Sequence, residues 1–214
     1  METHPTSPLT VGILIFNEVE VLDFAGPFEV FSVAGRFKAN GRDQDDTDVA
    51  MRAVTIAQTA ALVHARGGLQ IQPQFTFDNH PPLDVLVVPG GWGTRAEVRN
   101  PVLLDWLRRT VPNVGIKASV CTGSFLYGAI GLFDGLKATT HWGSLDRMAQ
   151  TFPQVEIIRN VRWIDQGAVL SSAGISAGID VSLHLVERLF GRELALQTAH
   201  QMEYDWQETE WTHT

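Results

Sequence analysis

Apolar residues in this chain fall in short unbroken runs separated by stretches of helical periodicity. That is the pattern of a parallel sheet whose strands are covered on both faces. Val11-Gly12-Ile13-Leu14-Ile15-Phe16 and Val85-Leu86-Val87-Val88 are such runs, Ile116-Lys117-Ala118-Ser119-Val120 reads as a short strand, and Met51 to Ala57 alternates enough to add another. Between them, Gly26-Pro27 opens a helix carrying Phe28, Val30, Phe31 and Val33, with Pro27 at the first helical position, where its missing N–H costs little. Asn100-Pro101 caps a second helix in which Val102, Leu103, Trp106, Leu107 and Val111 recur at helical spacing. A third is expected from Thr122 to Ile130, stopped by Gly131. Val161 to Asp165 and Ala168 to Ser172 flank Gln166-Gly167 as a hairpin, and Ala177 to Leu189 and Arg192 to Met202 read as two closing helices.

The polar stretches punctuate this pattern. Gly35 to Val49 is expected to be an exposed connection, Leu69 to Pro73 a short edge piece, and Gln74 to Pro82 a proline-bearing loop. Pro89-Gly90-Gly91-Trp92-Gly93 ends a strand in a glycine-rich loop. Strands alternating with helices give an α/β domain with ligands at the carboxyl ends of its strands, and both Cys121 and Gly90-Gly91 fall at such ends. A single domain is expected over residues 1–214, with residues 1–9 and 205–214 as tails.

With 44% hydrophobic and 19% charged residues, the 214-residue chain is neither disordered nor fibrous. A net charge of −8 argues against a phosphate-binding surface, so nucleic acid is not an expected partner. Residues 1–9 lack the basic flank and apolar core of a signal peptide, and nowhere do roughly 18 apolar residues run uninterrupted, so neither export nor a membrane partner is expected. One cysteine suits a reducing compartment, which gives a cytoplasmic expectation. The 7 histidines are scattered without ligand spacing, and no phosphate loop or dinucleotide fingerprint is present, so neither metal nor cofactor is expected.

The chemistry centres on Val120-Cys121-Thr122-Gly123-Ser124, where an apolar strand gives way to a helical pattern. A thiol at this elbow lies near free N–H groups and the positive end of the following helix, which favours the thiolate. Gly123 supplies the small neighbour that such a nucleophile turn needs. The other reading of Cys121 is a buried small hydrophobe. Asp23 reads from local pattern as a charge at a helix start, and Gly90 and Gly91 read either as a tight turn or as donors of backbone N–H groups to developing negative charge. Thr122 has a hydroxyl to offer substrate or water, or serves local capping. His141 stays outside the catalytic set, and Asp180 is a first-turn charge.

Five segments in order resemble the ThiJ/PfpI superfamily of glutamine-amidotransferase-like proteins. They are residues 21–27 (VLDFAGP), 88–93 (VPGGWG), 119–124 (SVCTGS), 138–142 (ATTHW) and 172–180 (SAGISAGID). The resemblance implies a flavodoxin-like sandwich, a mostly parallel central sheet with helices on both faces and an elbow cysteine. Asp23 in a Leu-Asp-x-x-Gly-Pro setting together with Cys121-Thr122-Gly123 resembles the isocyanide hydratase branch. Residue 122 is not the histidine of the intracellular-protease branch, and Asp23 replaces the glutamate of the deglycase branches. Carried to this sequence, the resemblance implies Cys121 as nucleophile, Asp23 as proton donor, Thr122 as a catalytic hydroxyl, Gly90 and Gly91 as substrate or oxyanion donors, and a homodimer acting on a small molecule. It also places Ile175 near the cysteine, although ordinary core is an equal reading of that residue. The same segments resemble the N-terminal domain of AraC-type regulators, which leaves a sensor, or another cysteine-dependent hydrolase or lyase, as alternatives. Those regulators continue into a DNA-binding domain, so a sensor ending at Thr214 is expected to signal by another route.

Overall fold

The computed structural model describes residues 8–37 and 50–207. Seven strands form the main sheet in the order β10-β11-β7-β6-β1-β2-β5. They are β1 (Leu9–Leu14), β2 (Met51–Ala57), β5 (Phe75–Thr76), β6 (Val85–Val88), β7 (Ile116–Val120), β10 (Trp163–Asp165) and β11 (Val169–Ser172). All pairings are parallel except that of β10 with β11, the expected hairpin at one edge. β1 and β6 are built of residues buried on both sides, as continuous apolar runs require. Two small ribbons, β3 (Val63–His64) with β4 (Gln70–Ile71) and β8 (Lys137–Ala138) with β9 (Glu156–Ile157), lie outside the main sheet.

Helices α1 (Val21–Arg36), α6 (Ala177–Phe190) and α7 (Arg192–Gln201) pack on one another, while α3 (Pro101–Thr110) and the short α2 (Thr94–Glu97) pack on α4 (Ser124–Ala129). A short α5 (Leu145–Thr151) completes the set. Asn100 caps α3 as its position suggests, its side chain accepting from the Val102 and Leu103 N–H groups at 3.1 and 3.4 Å. Among the described residues, no helix is long and apolar enough to cross a membrane.

Several boundaries differ from expectation. α1 starts at Val21, so Pro27 lies inside the helix and not at its first position. Proline disfavours helical backbone just before it and removes one helical hydrogen bond. Here burial of Phe24, Val30 and Phe31 outweighs that cost, and Asp23 is drawn into the first helical turn. The amino-terminal tail is shorter by one residue, because Leu9 pairs with Met51. The connection from Gly35 begins inside α1, where Gly35 is buried, and residues 38–49 lie outside the described residues. The edge strand of the sheet is Phe75–Thr76, within the stretch expected to be loop, and Leu69–Pro73 contributes β4 to a separate ribbon. The third helix is shorter than the expected Thr122–Ile130, because Cys121–Gly123 form a 3₁₀ turn before α4. The carboxyl-terminal segment is tied down at Gln207, whose N–H donates to Asp180 Oδ1 at 2.9 Å.

Candidate active site

The sheet order places β1 between β2 and β6, so the order in which successive strands are laid down reverses between the parallel β1 and β6 and leaves a crevice at their carboxyl ends. Asp23 follows β1, Gly90 and Gly91 follow β6, Cys121 follows β7, and Ile175 follows β11. Residues as far as 152 positions apart meet there.

Cys121 has φ 57°, a left-handed conformation that a non-glycine residue holds only when its surroundings enforce it. Its N–H donates to the Ala173 carbonyl at 3.1 Å, and its carbonyl accepts from Ser124 Oγ at 3.1 Å and Thr140 Oγ1 at 2.9 Å. With both backbone groups fixed, the side chain has one outlet, and 5% of the residue remains exposed. A Cβ on Gly123 would lie 2.1 Å from the Val88 carbonyl oxygen, so the elbow closes only with glycine at that position.

Asp23 is fully buried. Its Oδ2 accepts from the Gly90 N–H at 3.0 Å and its Oδ1 from the Ile175 N–H at 3.2 Å, and the Cys121 thiol lies near enough to the carboxyl for the two groups to influence each other's proton. Burial raises the Asp23 pKa to about 7, against the opposing pull of these hydrogen bonds. It is therefore a buried acid within reach of the sulfur, not a helix cap.

The expectation of a helix-stabilised thiolate needs correction. Burial, followed by the charge on Asp23, pushes the Cys121 thiol well above its ordinary value, although the N–H and hydroxyl of Thr122 both favour the ionised sulfur. α4 is only six residues long, and desolvation outweighs what its end supplies. The thiolate forms readily only when the proton it loses rests on Asp23, which makes cysteine and aspartate one acid–base unit.

Gly90 and Gly91 hold this unit and do not present idle donors. The Gly90 N–H is engaged by Asp23, and the Gly91 N–H donates to Thr122 Oγ1 at 3.1 Å. Both N–H groups expected to serve as oxyanion donors are thus engaged within the protein itself. A Cβ on Gly90 would fall 2.5 Å from the Thr122 nitrogen and 2.9 Å from Asp23 Oδ2, so that position is filled by the site itself. Thr122 Oγ1 also lies 3.2 Å from the Gly91 carbonyl and 3.1 Å from Thr94 Oγ1. The Thr94 hydroxyl has its own acceptor in that carbonyl, at 2.8 Å.

Thr94 is a positioning residue that the sequence did not single out, since a threonine in a four-residue helix carries no distinguishing pattern. Ile175, which the family resemblance places near the cysteine, has φ 57°, a severe outlier for a β-branched side chain, and its N–H is on the Asp23 carboxyl. His141 lies at the rim, next to Thr140 and packed against Gly174. Its Nδ1 accepts from the Gly143 N–H at 3.2 Å, and burial lowers its pKa, so the ring is neutral at pH 7. Asp180 is no simple first-turn charge, because it is fully buried and paired with Arg162, whose Nε donates to Oδ2 at 2.6 Å. Among the described residues, no group of three or more His, Cys, Asp or Glu side chains is arranged to hold a metal ion.

Comparison with known proteins agrees with this architecture. The isonitrile hydratase of Pseudomonas putida is 34% identical over 196 residues, covering 92% of this chain and 78% of that protein. The HTH-type transcriptional regulator GbdR of Pseudomonas aeruginosa is 30% identical over 93% of this chain, and the chain spans about half, 52%, of that regulator's length. Among solved structures, a ThiJ/PfpI family protein from Pseudomonas syringae superposes with a TM-score of 0.80 at 28% identity, covering 94% of this chain and 77% of that one. Drosophila melanogaster DJ-1beta shares the fold, with a TM-score of 0.76 at 17% identity over 94% of this chain and 100% of that one. The DJ-1/PfpI family pattern itself matches residues 9–188, a span that holds every group of the crevice from Asp23 to Ile175, and the chain is a member of the DJ-1/PfpI family.

Proposed function

We propose that this protein is a cofactor-independent, cysteine-dependent hydratase that converts isocyanides to N-substituted formamides. The observation that carries the reading is the fully buried Asp23, its pKa raised to about 7, coupled electrostatically to the thiol of Cys121, the only cysteine of the chain. Similarity to an isonitrile hydratase supports it, isonitrile being another word for isocyanide.

The terminal carbon of an isocyanide is electrophilic and carbene-like, so it requires a nucleophile and a proton on the same atom. Cys121 as thiolate forms the carbon–sulfur bond while Asp23, holding the proton, delivers it to that carbon and leaves a thioimidate. Asp23, now a carboxylate, takes a proton from water as the oxygen bonds to the carbon, then passes it to the nitrogen. The carbon–sulfur bond breaks, the formamide departs, and the second proton of the water returns to the Cys121–Asp23 unit. Thr122, whose N–H and hydroxyl both favour the ionised sulfur, assists the thiolate both in attack and in departure.

Purified protein incubated with an aryl isocyanide is expected to release the formamide. Cys121→Ala is expected to abolish turnover, by roughly a thousandfold or more. Asp23→Asn is expected to lower it by roughly a hundredfold or more. The absence of formamide from the wild-type protein rejects the proposal. The similarity to regulators favours a second reading, a ligand-binding domain without turnover, which predicts isocyanide or formamide binding and no product in the same assay.

A further inference from the structure

Two arginines on elements next to the crevice carry positive charge, although the chain as a whole carries −8. Trp92, which follows the Gly90-Gly91 turn, is 56% exposed, with the guanidinium of Arg95 stacked 3.8 Å from its ring centroid and that of Arg66 at 5.6 Å. Arg147, on α5, holds its guanidinium 4.2 Å over the ring of Phe125, four residues beyond Cys121, and makes only a long contact, 3.5 Å, with Ser144 Oγ. Arg66 is neutralised by Glu18 at 2.8 Å. Neither Arg95 nor Arg147 has a carboxylate partner among the described residues, and the two are near enough for the charge of Arg95 to act on Arg147.

An ordinary surface arginine is mobile and solvated, and its charge repels a neighbour of like sign. These two are held flat on aromatic faces, which orients their donors and lowers the entropy lost when they bind an anion. Their placement is also specific. Arg95 adjoins Thr94, whose hydroxyl lies 3.1 Å from that of Thr122, and α2 packs on α4, the helix behind the elbow. Phe125, under Arg147, lies on the helix that follows the elbow. A substrate held at Cys121 therefore has the two guanidinium groups on neighbouring elements and the buried carboxyl beside the sulfur.

We infer that Arg95 and Arg147 form an anion subsite, selecting substrates whose nitrogen substituent ends in a carboxylate or phosphate. The inference rests on the hydratase reading for the reacting end of the substrate and on the guanidinium pair for its far end. It does not alter the chemistry at Cys121, but determines which isocyanides are hydrated efficiently.

Binding is measured first, by calorimetry on wild-type protein, with N-formylglycine against N-formylglycinamide, which differ in charge and little in size. The acid is expected to bind about tenfold more tightly, the worth of one partly exposed charge-assisted contact. In the Arg95→Gln/Arg147→Gln variant that ratio is expected to fall towards one, and in Arg95→Lys, which keeps charge but loses the planar fork, to an intermediate value. Unfolding midpoints of the variants, measured alongside, show that the fold is intact. Equal affinities in the wild type, or no binding of either probe, overturn the inference. Isocyanoacetate, isocyanomethylphosphonate and isocyanoacetamide as substrates then rank carboxylate against phosphonate. Turnover without preference for the anions sinks the subsite and leaves the hydratase, whereas anion-selective binding without turnover of any of the three sinks the hydratase and leaves the subsite.

Discussion

At the scale of single residues, the proton shared by Cys121 and Asp23 sets the pH dependence. With both groups protonated there is no thiolate, and attack is blocked. Removing one proton, around pH 7, leaves the pair sharing one proton, chiefly as Asp23 carboxylate and Cys121 thiol, in equilibrium with the thiolate–acid form that attacks. The second proton leaves only well above the ordinary range of a thiol, because burial and the Asp23 charge oppose it. The kcat/KM for an isocyanide is therefore expected to rise with pH through a midpoint near 7 and then stay level, and a rate that falls through 7 contradicts this assignment. Stability runs the other way. A carboxyl whose pKa is higher folded than unfolded binds more protons in the native state, so its contribution is intact below pH 3.8 and is lost as pH climbs to about 7. Chemical denaturation of Asp23→Asn is expected to show a weaker fall in stability across that window than the wild type.

At the scale of elements, the short turns after β1, β6, β7 and β11 set the geometry to within a few tenths of an ångström. Gly90→Ala tests that tolerance, since the added methyl group would sit 2.5 Å from the Thr122 nitrogen. Something must move, and the nearest candidates are the two groups that bind the sulfur and its proton. Formamide release by this variant is expected to drop by about a hundredfold, with far-ultraviolet circular dichroism unchanged. Wild-type turnover would mean that the turn has slack which the distances deny. The sequence conveyed this layer unevenly. Continuous apolar runs located β1 and β6, the short stretch Ile116–Val120 located β7, and the Cys121 elbow followed from the change of period after Val120. The start of α1 was hidden because Pro27 ordinarily marks a first turn, and the two-residue strands are too short for any periodicity to register. Which donors face the sulfur was invisible, since N–H direction depends on backbone angles such as those of Cys121 and Ile175. Thr94 and the Arg95–Arg147 pair were hidden for a different reason. Their significance comes from helices that meet only in three dimensions.

At the scale of the whole molecule, the buried Arg162–Asp180 pair joins the hairpin edge of the sheet to α6 and to the segment after α7. Asp180 Oδ1 accepts from Tyr204 Oη at 3.1 Å and from the Gln207 N–H, and Arg162 Nη2 donates to Ser176 Oγ at 3.1 Å, one residue after Ile175. Asp180 is the acceptor for Arg162, Tyr204 and Gln207 together, and breaking such a buried pair costs about 3–5 kcal/mol. Asp180→Ala is expected to lose that much in urea titration, and a change below about 1 kcal/mol would show that this carboxylate does not hold the segments together. The loss is expected to reach the crevice as well, because Ser176 and Ile175 lie on the same turn.

All four loops that carry the reacting groups leave the same rim of the sheet, so the opposite rim is free of chemistry. The tight turn at Gln166-Gly167 and the Pro112–Gly115 connection lie on that idle rim. Protein engineers seeking new chain ends, an inserted reporter or a surface tether have a permissive side on which to cut. Nothing severed there separates the thiol from its acid.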